Sequence, residues 1–176
     1  MIKAFFGILL FTAYLSGMPC EYAFASEPLN RRQEILSRYF DYPCAKFGIP
    51  KALALAIARQ ESGLDPLAVN VGGKSMHPSS LAEALRVARE AMSKGGSFDV
   101  GLMQINSRWI KRYNIPLEKL FEPGGNVYVG CWILRQEIQR HGLTWKAVGR
   151  YHSPTSRRAE AYASLIQRHL LDILRQ

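Results

Sequence analysis

The chain has only four histidines, at positions 77, 141, 152 and 169. They lack the close spacing to each other or to cysteine that a metal centre needs, so no metal and no cofactor are expected. Strand-like alternation is scarce, which argues against a sheet-based fold. There is no internal repeat and no long low-complexity linker. The one extended apolar run, residues 4–15, is too short and too early for a convincing membrane span. Acidic residues are also few: 14 Asp and Glu stand against 23 Lys and Arg, a formal net charge of +9. Such an excess suits an anionic partner such as a cell wall or membrane face. Nucleic acid is not expected, because the arginines are scattered and surround no recognised reading motif. Arg108, Lys111, Arg112, Arg157 and Arg158 read as solvated helix faces first and substrate contacts second.

The N-terminus is where the chain is most patterned. Lys3 precedes the apolar run, small and polar residues follow, and Ala23-Phe24-Ala25 closes the segment. This is the basic, hydrophobic, A-x-A order of a secretory signal peptide, residues 1–25, cleaved after Ala25 and directing the chain to the periplasm. An uncleaved signal anchor is the alternative. Lys3 and Glu21 leave together, so the charge balance is unchanged, and Cys20 is removed as well. Two cysteines remain, Cys44 and Cys131, and an even count in an exported protein reads as a disulfide. Closing so long a loop adds about 4 kcal/mol through the unfolded chain. Two buried free thiols are the alternative.

Residues 26–176 suit one domain of the all-α class, with little or no sheet, and a monomer is expected. Helical stripes run through Ile35, Leu36, Tyr39 and Phe40, and through Leu81, Ala84, Leu85, Ala88 and Met92 after Ser80. Asn126 reads as an N-cap before Val127, Cys131, Leu134 and Ile138. A last helix from about Arg157 carries Tyr162, Leu165, Ile166, His169 and Ile173. Trp132 and Trp145 read as packing residues.

One helix carries chemistry. Pro50 suits a first turn, residues 51–60 are rich in Ala and Leu, and Gly63 is a natural stop. Leu53, Ile57 and Glu61 share one stripe, so Glu61 continues the core-facing side. Burial there, and the carbonyl end of the helix, both favour the protonated carboxyl that a general acid requires. A Glu near a helix end is ordinarily a solvated surface residue, so Glu61 gains weight only from its company.

That company is Glu61-Ser62, then Gly101-Leu102-Met103-Gln104-Ile105-Asn106-Ser107, then Asn126-Val127-Tyr128-Val129-Gly130, then Ala147-Val148-Gly149-Arg150-Tyr151-His152-Ser153. In this order the motifs resemble the soluble lytic transglycosylase (SLT) domain, a goose-lysozyme-like fold acting on peptidoglycan. The likeness covers residues 39–174. It is greatest to the small specialised members that accompany type IV secretion, conjugation, pilus and related envelope machines, including an insert at residues 70–98.

The resemblance implies roles. Glu61 would be the sole catalytic acid and base, and Ser62 would hydrogen-bond substrate beside the reacting sugar. Gly101, Met103 and Gln104 would line the groove, with Gln104 and Asn106 offering amides to the N-acetyl sugars. Tyr151 would bring its hydroxyl near Glu61. His152 stands where the family has Asn, and it reads equally as a substrate contact or as a groove-edge packing residue. The implied reaction cleaves the β-1,4 bond between N-acetylmuramic acid and N-acetylglucosamine and closes a 1,6-anhydro ring, locally opening the wall for such a machine. Glycosidases that use two carboxyls hold them roughly 5–9.5 Å apart. Asp65 and Asp99 are the candidates for a second, though turn chemistry explains both more simply. A lysozyme-like muramidase and a non-catalytic peptidoglycan-binding scaffold are therefore the competing functions.

Overall fold

The computed structural model describes residues 29–175. The expected signal peptide, residues 1–25, lies outside them. Internal contacts divide the chain into two units, residues 1–34 and 35–176, and everything below concerns the second. Helix α1 (Leu29–Arg38) contributes its last residues, from Ile35, to that unit.

Short helices, each stopped by local chemistry, build the first part. Helix α2 (Asp41–Phe47) ends at Gly48, whose φ of 64° is the left-handed conformation that glycine adopts without a Cβ clash. Helix α3 (Lys51–Ser62) starts after Pro50 and ends at Gly63, φ 66°. It ends where the glycine stop predicts, so Glu61 and Ser62 lie in its last turn. Helix α4 (Leu81–Ser93) is capped by Ser80, whose hydroxyl accepts from Glu83 N at 3.2 Å, while the Glu83 carboxylate accepts from Ser79 N at 2.9 Å. This reciprocal pairing resembles a capping box displaced by one residue.

The chain is mainly helical, as expected, with one small sheet. Strands β1 (Val69–Val71), β2 (Lys74–Met76), β3 (Phe98–Val100) and β4 (Ile105–Asn106) lie in the order β2-β1-β3-β4, all antiparallel. Strands of two or three residues are too short to show period-two alternation, which is why none is legible in the sequence. The 70–98 segment supplies the β1–β2 hairpin and α4. Its pairing of Asn70 with Asp99 and of Val71 with Phe98 builds the insert into the sheet.

Helices α5 (Ser107–Tyr113), α6 (Leu117–Phe121), α7 (Pro123–His141), α8 (Trp145–His152) and α9 (Ser156–Leu174) complete the fold. Helix α9 packs on both α3 and α8, and α8 on α7. The core centres on Phe40, Ile57, Phe98, Leu102, Met103, Leu134 and Ile166, all fully buried. No described helix is long and apolar enough to cross a membrane.

Three expectations change. Asn126 is not an N-cap: Pro123 opens α7, and Asn126 lies inside it, 1% exposed. Its side chain accepts from Met103 N at 2.8 Å and donates to Val100 O at 2.9 Å and Leu120 O at 2.7 Å. Trp145 is not packed away but 42% exposed. The expected Cys44–Cys131 disulfide is not formed. Both residues are buried free thiols, and they lie side by side where α2 meets α7. A hydrogen bond between the thiols holds Cys44 below the usual thiol range. The same bond, with burial, pushes Cys131 well above it.

Candidate active site

Glu61 is fixed from three sides. Helix α3 carries it, and the C-cap at Gly63 turns the chain away directly afterwards. Tyr162, from α9, donates its hydroxyl to Glu61 Oε1 at 2.6 Å. His152, the last residue of α8, brings Nδ1 to 3.8 Å from the same oxygen. The Glu61 side chain is 13% exposed, so the carboxyl is mostly shielded yet reachable. The glycine at 149 lets α8 approach α9 closely, since a Cβ there would meet Ala159 O at 2.4 Å.

The exposed part of Glu61 opens into a cleft of about 570 Å³ that it shares with Asp99, Gln104, Asn106, Tyr151 and His152. A second cavity of about 250 Å³ lies against Gln60, Ser62, Ser75 and His77. Glu61 and Gln104 stand on the wall of both.

The remaining motif residues divide into wall and support. Gln104, with φ of 46°, donates Nε2 to Gly101 O at 2.9 Å and Ala68 O at 3.2 Å while lining the cleft. Asn106 donates to Asp99 Oδ1 at 2.8 Å and caps α5 by accepting from Arg108 N at 3.0 Å. Ser62, expected to face substrate, is buried and spends its hydroxyl on Leu102 O at 2.8 Å. Gly101 and Met103 are buried behind the cleft rather than lining it. Gly101 has φ 76°, and a Cβ there would meet Asn126 Nδ2 at 2.1 Å. Met103 packs against Gly130, where a Cβ would meet its sulfur at 2.4 Å. Tyr151 lines the cleft but donates its hydroxyl to Met103 O at 2.7 Å, bracing the turn at Gln104.

Comparison with known sequences places this geometry in a family. The family model "Transglycosylase SLT domain" matches residues 38–165. The chain belongs to the transglycosylase SLT domain family. The match contains Glu61, Gln104, Tyr151, His152 and Tyr162. Among relatives of this SLT chain, the "Type IV secretion system protein virB1" of Brucella suis biovar 1 is 34% identical over 99 residues, covering 55% of this chain and 41% of the relative. The "Invasion protein IagB" of Salmonella typhi is 33% identical over 114 residues, 62% and 58% of the two lengths. The "Protein virB1" of Agrobacterium fabrum is 46% identical over 71 residues, 39% and 29% of the two lengths. The chain thus spans less than two thirds of each of these relatives. No solved structure matches.

The electrostatics of the SLT site follow from how its groups are shielded. Burial pushes the Asp99 carboxyl upward, opposed by the Asn106 hydrogen bond and reinforced by the charge of Glu61. His152 is raised by its contact with Glu61, with Asp99 adding to it and partial burial and Arg158 opposing. Burial keeps Tyr151 and Tyr162 well above the ordinary tyrosine range, so both stay neutral donors. Asp65 is a turn residue, as the sequence suggests. Its Oδ1 accepts from Leu67 N at 2.8 Å and its Oδ2 pairs with His77 Nδ1 at 2.7 Å. Asp99 is not explained by turn chemistry: it sits in β3 and faces the cleft. Among the described residues no cluster of three or more His, Cys, Asp or Glu could hold a metal ion.

Tyr162 is the functional residue that sequence reasoning missed, because it sits on an apolar helical stripe and reads as core. The sequence held one signal, a tyrosine on a core-facing stripe, whose hydroxyl needs a partner once buried, as Tyr162 is at 4% exposure. Which partner it finds depends on α9 packing against α3, and no local pattern encodes that.

Proposed function

We propose that the chain is a peptidoglycan lytic transglycosylase in which Glu61 is both acid and base. The position of Glu61 carries this reading: one shielded carboxyl, hydrogen-bonded at Oε1, on the common wall of two cavities. A glycan strand lying through both would present a glycosidic oxygen to it. Glu61 donates its proton to the oxygen between N-acetylmuramic acid and N-acetylglucosamine, and the bond from that oxygen to the muramic C1 breaks. The substrate's own N-acetyl carbonyl stabilises the positive centre at C1. The Glu61 carboxylate then takes the proton of the muramic C6 hydroxyl as that oxygen bonds to C1, giving the 1,6-anhydro product. Gln104 and Asn106 supply polar contacts to the sugars, Gly101 and Met103 hold the wall from behind, Ser62 ties α3 to it through Leu102 O, and Tyr151 braces it.

Export by residues 1–25, and work in the periplasm beside a secretion, conjugation or pilus apparatus, belong to the same proposal. The basic, apolar and A-x-A order of residues 1–25 supports the export, and relatives named for type IV secretion and for invasion support the setting. The exported chain is expected to begin at Ser26, which N-terminal sequencing of the periplasmic protein reads directly.

Mass spectrometry of the soluble products released from purified peptidoglycan tests the reaction. Products ending in 1,6-anhydromuramic acid support it. Reducing-end products, heavier by one water, support a muramidase instead. Asp99 is the observation favouring that second reading, since it places another shielded carboxyl in the same cleft. Glu61→Gln keeps the shape and removes the proton donor. It is expected to cut turnover by about 10²–10⁴-fold while wall binding persists. Unchanged turnover would show that the acid is misassigned.

A further inference from the structure

The imidazole of His152 is held in a defined orientation. Its ring lies flat on the Tyr162 ring, centroids 4.5 Å apart and planes within 2° of parallel. The two stacked rings address the same atom: the Tyr162 hydroxyl is 2.6 Å from Glu61 Oε1, and His152 Nδ1 is 3.8 Å from it. The first is a hydrogen bond and the second is an ion-pair distance. Both fall on one oxygen of the carboxyl, which leaves Oε2 as the other.

We propose that His152, as the imidazolium, is a positioning residue that with Tyr162 holds Glu61 Oε1, so that Oε2 exchanges its proton with the substrate. The inference rests on Glu61 being the acid and base of the reaction proposed above. It moves His152 from contact with the sugar to action through Glu61. An imidazolium carries a proton on each ring nitrogen, so Nδ1 faces Glu61 as a donor. A neutral imidazole faces Oε1 either with an uncharged Nδ1–H or, when protonated at Nε2, with a lone pair, and in both tautomers the attraction is weaker than that of the imidazolium.

The groups around His152 set which form is present. Glu61 from α3 and Asp99 from β3 favour the charged ring, and Arg158 from α9 opposes it. Tyr162 on α9 and Tyr151 on its own helix are neutral. While Glu61 is a carboxylate the acids prevail over burial and Arg158, and the ring holds its proton above the ordinary histidine range. Loss of that proton at higher pH weakens one of the two holds on Oε1.

The test compares kcat and KM across pH for wild type, His152→Asn and His152→Phe, reading soluble products released from peptidoglycan. Asn offers an N–H donor at every pH, and Phe keeps the stack but offers none. The His152 side chain is 48% exposed, so neither change threatens the core, and thermal unfolding checks that both variants fold. Wild-type kcat is expected to fall on the alkaline side. The Asn variant should keep only the limb set by ionisation of Glu61 itself, so its alkaline fall should be displaced from that of wild type, and the Phe variant should stay at least about tenfold below the wild-type plateau throughout, with KM nearly unchanged in both. An alkaline limb that persists unaltered in the Asn variant overturns the proposal. So does a Phe variant as fast as wild type, or an effect confined to KM. If folded wild type binds the wall but releases nothing at any pH, the reading of Glu61 itself fails, and the role of His152 falls with it.

Discussion

At the scale of single residues, the site is a set of shielded polar groups held against one another, and titration is the way to probe it. Asp99 is raised mainly by burial, so its ionised form is the disfavoured one in the folded chain. For an acid with a raised folded pKa, stability is greatest below the unfolded value and declines as pH rises through the folded one. Asp99→Asn should therefore unfold at a higher temperature than wild type near neutral pH. The gain should shrink as the pH is lowered toward 4, the region of an ordinary aspartate. Thermal unfolding at several pH values reads this, and a gain independent of pH would contradict it. His152 is also raised, but it is a base, and its charged form is the favoured one. Its contribution is fully present below the ordinary histidine value and is lost as pH rises through the raised one. Tyr162→Phe removes only a hydroxyl. It should lower kcat by about tenfold while leaving KM close to wild type, measured by product release, because the hydroxyl holds Glu61 and not the sugar.

At the scale of elements, short strands and close helix contacts determine where these groups lie. Asn126 links α7 to the turn between β3 and β4 and to the end of α6 through three buried hydrogen bonds. Asn126→Ala would leave Met103 N, Val100 O and Leu120 O without that partner. A loss of about 3 kcal/mol or more is expected in denaturant unfolding. Gly149→Ala tests the α8–α9 contact, where a Cβ would meet Ala159 O at 2.4 Å. A loss of about 1–3 kcal/mol is expected there, together with reduced turnover because His152 and Tyr162 sit on those two helices. The helices themselves were legible from residues such as Pro50, Gly63 and Ser80, whose effects are local. Asn126 was misread because a side-chain amide suits an N-cap as well as a buried cross-link, and only its neighbours in space decide between them.

At the scale of the whole molecule, net charge and the buried thiols are the accessible properties. The formal charge of +9 predicts attachment to an anionic wall that weakens as salt is raised, measurable by co-sedimentation with purified peptidoglycan. Cys44 and Cys131 are 4% and 0% exposed. In the chain purified under reducing conditions, both thiols should resist alkylation until denaturant is added, and mass spectrometry counts the labels. Two labels taken up by the native chain would place the α2–α7 contact in error.

The sequence by itself determined the mainly helical class, the family, and Glu61 as the residue to examine, because helix signals and motif order are properties of near neighbours. Tertiary structure decided which residues surround Glu61. Gly101 and Met103 carry the motif yet stand behind the cleft as support, and Ser62, at the edge of the second cavity, spends its hydroxyl on Leu102 O. Tyr162, outside every quoted motif, reaches the carboxyl across a separation of 101 residues. Hydrogen bonds of this kind are set by how α9 packs on α3 and α8. The side chain's own surroundings in sequence are the same whether its hydroxyl meets Glu61 or any other buried acceptor.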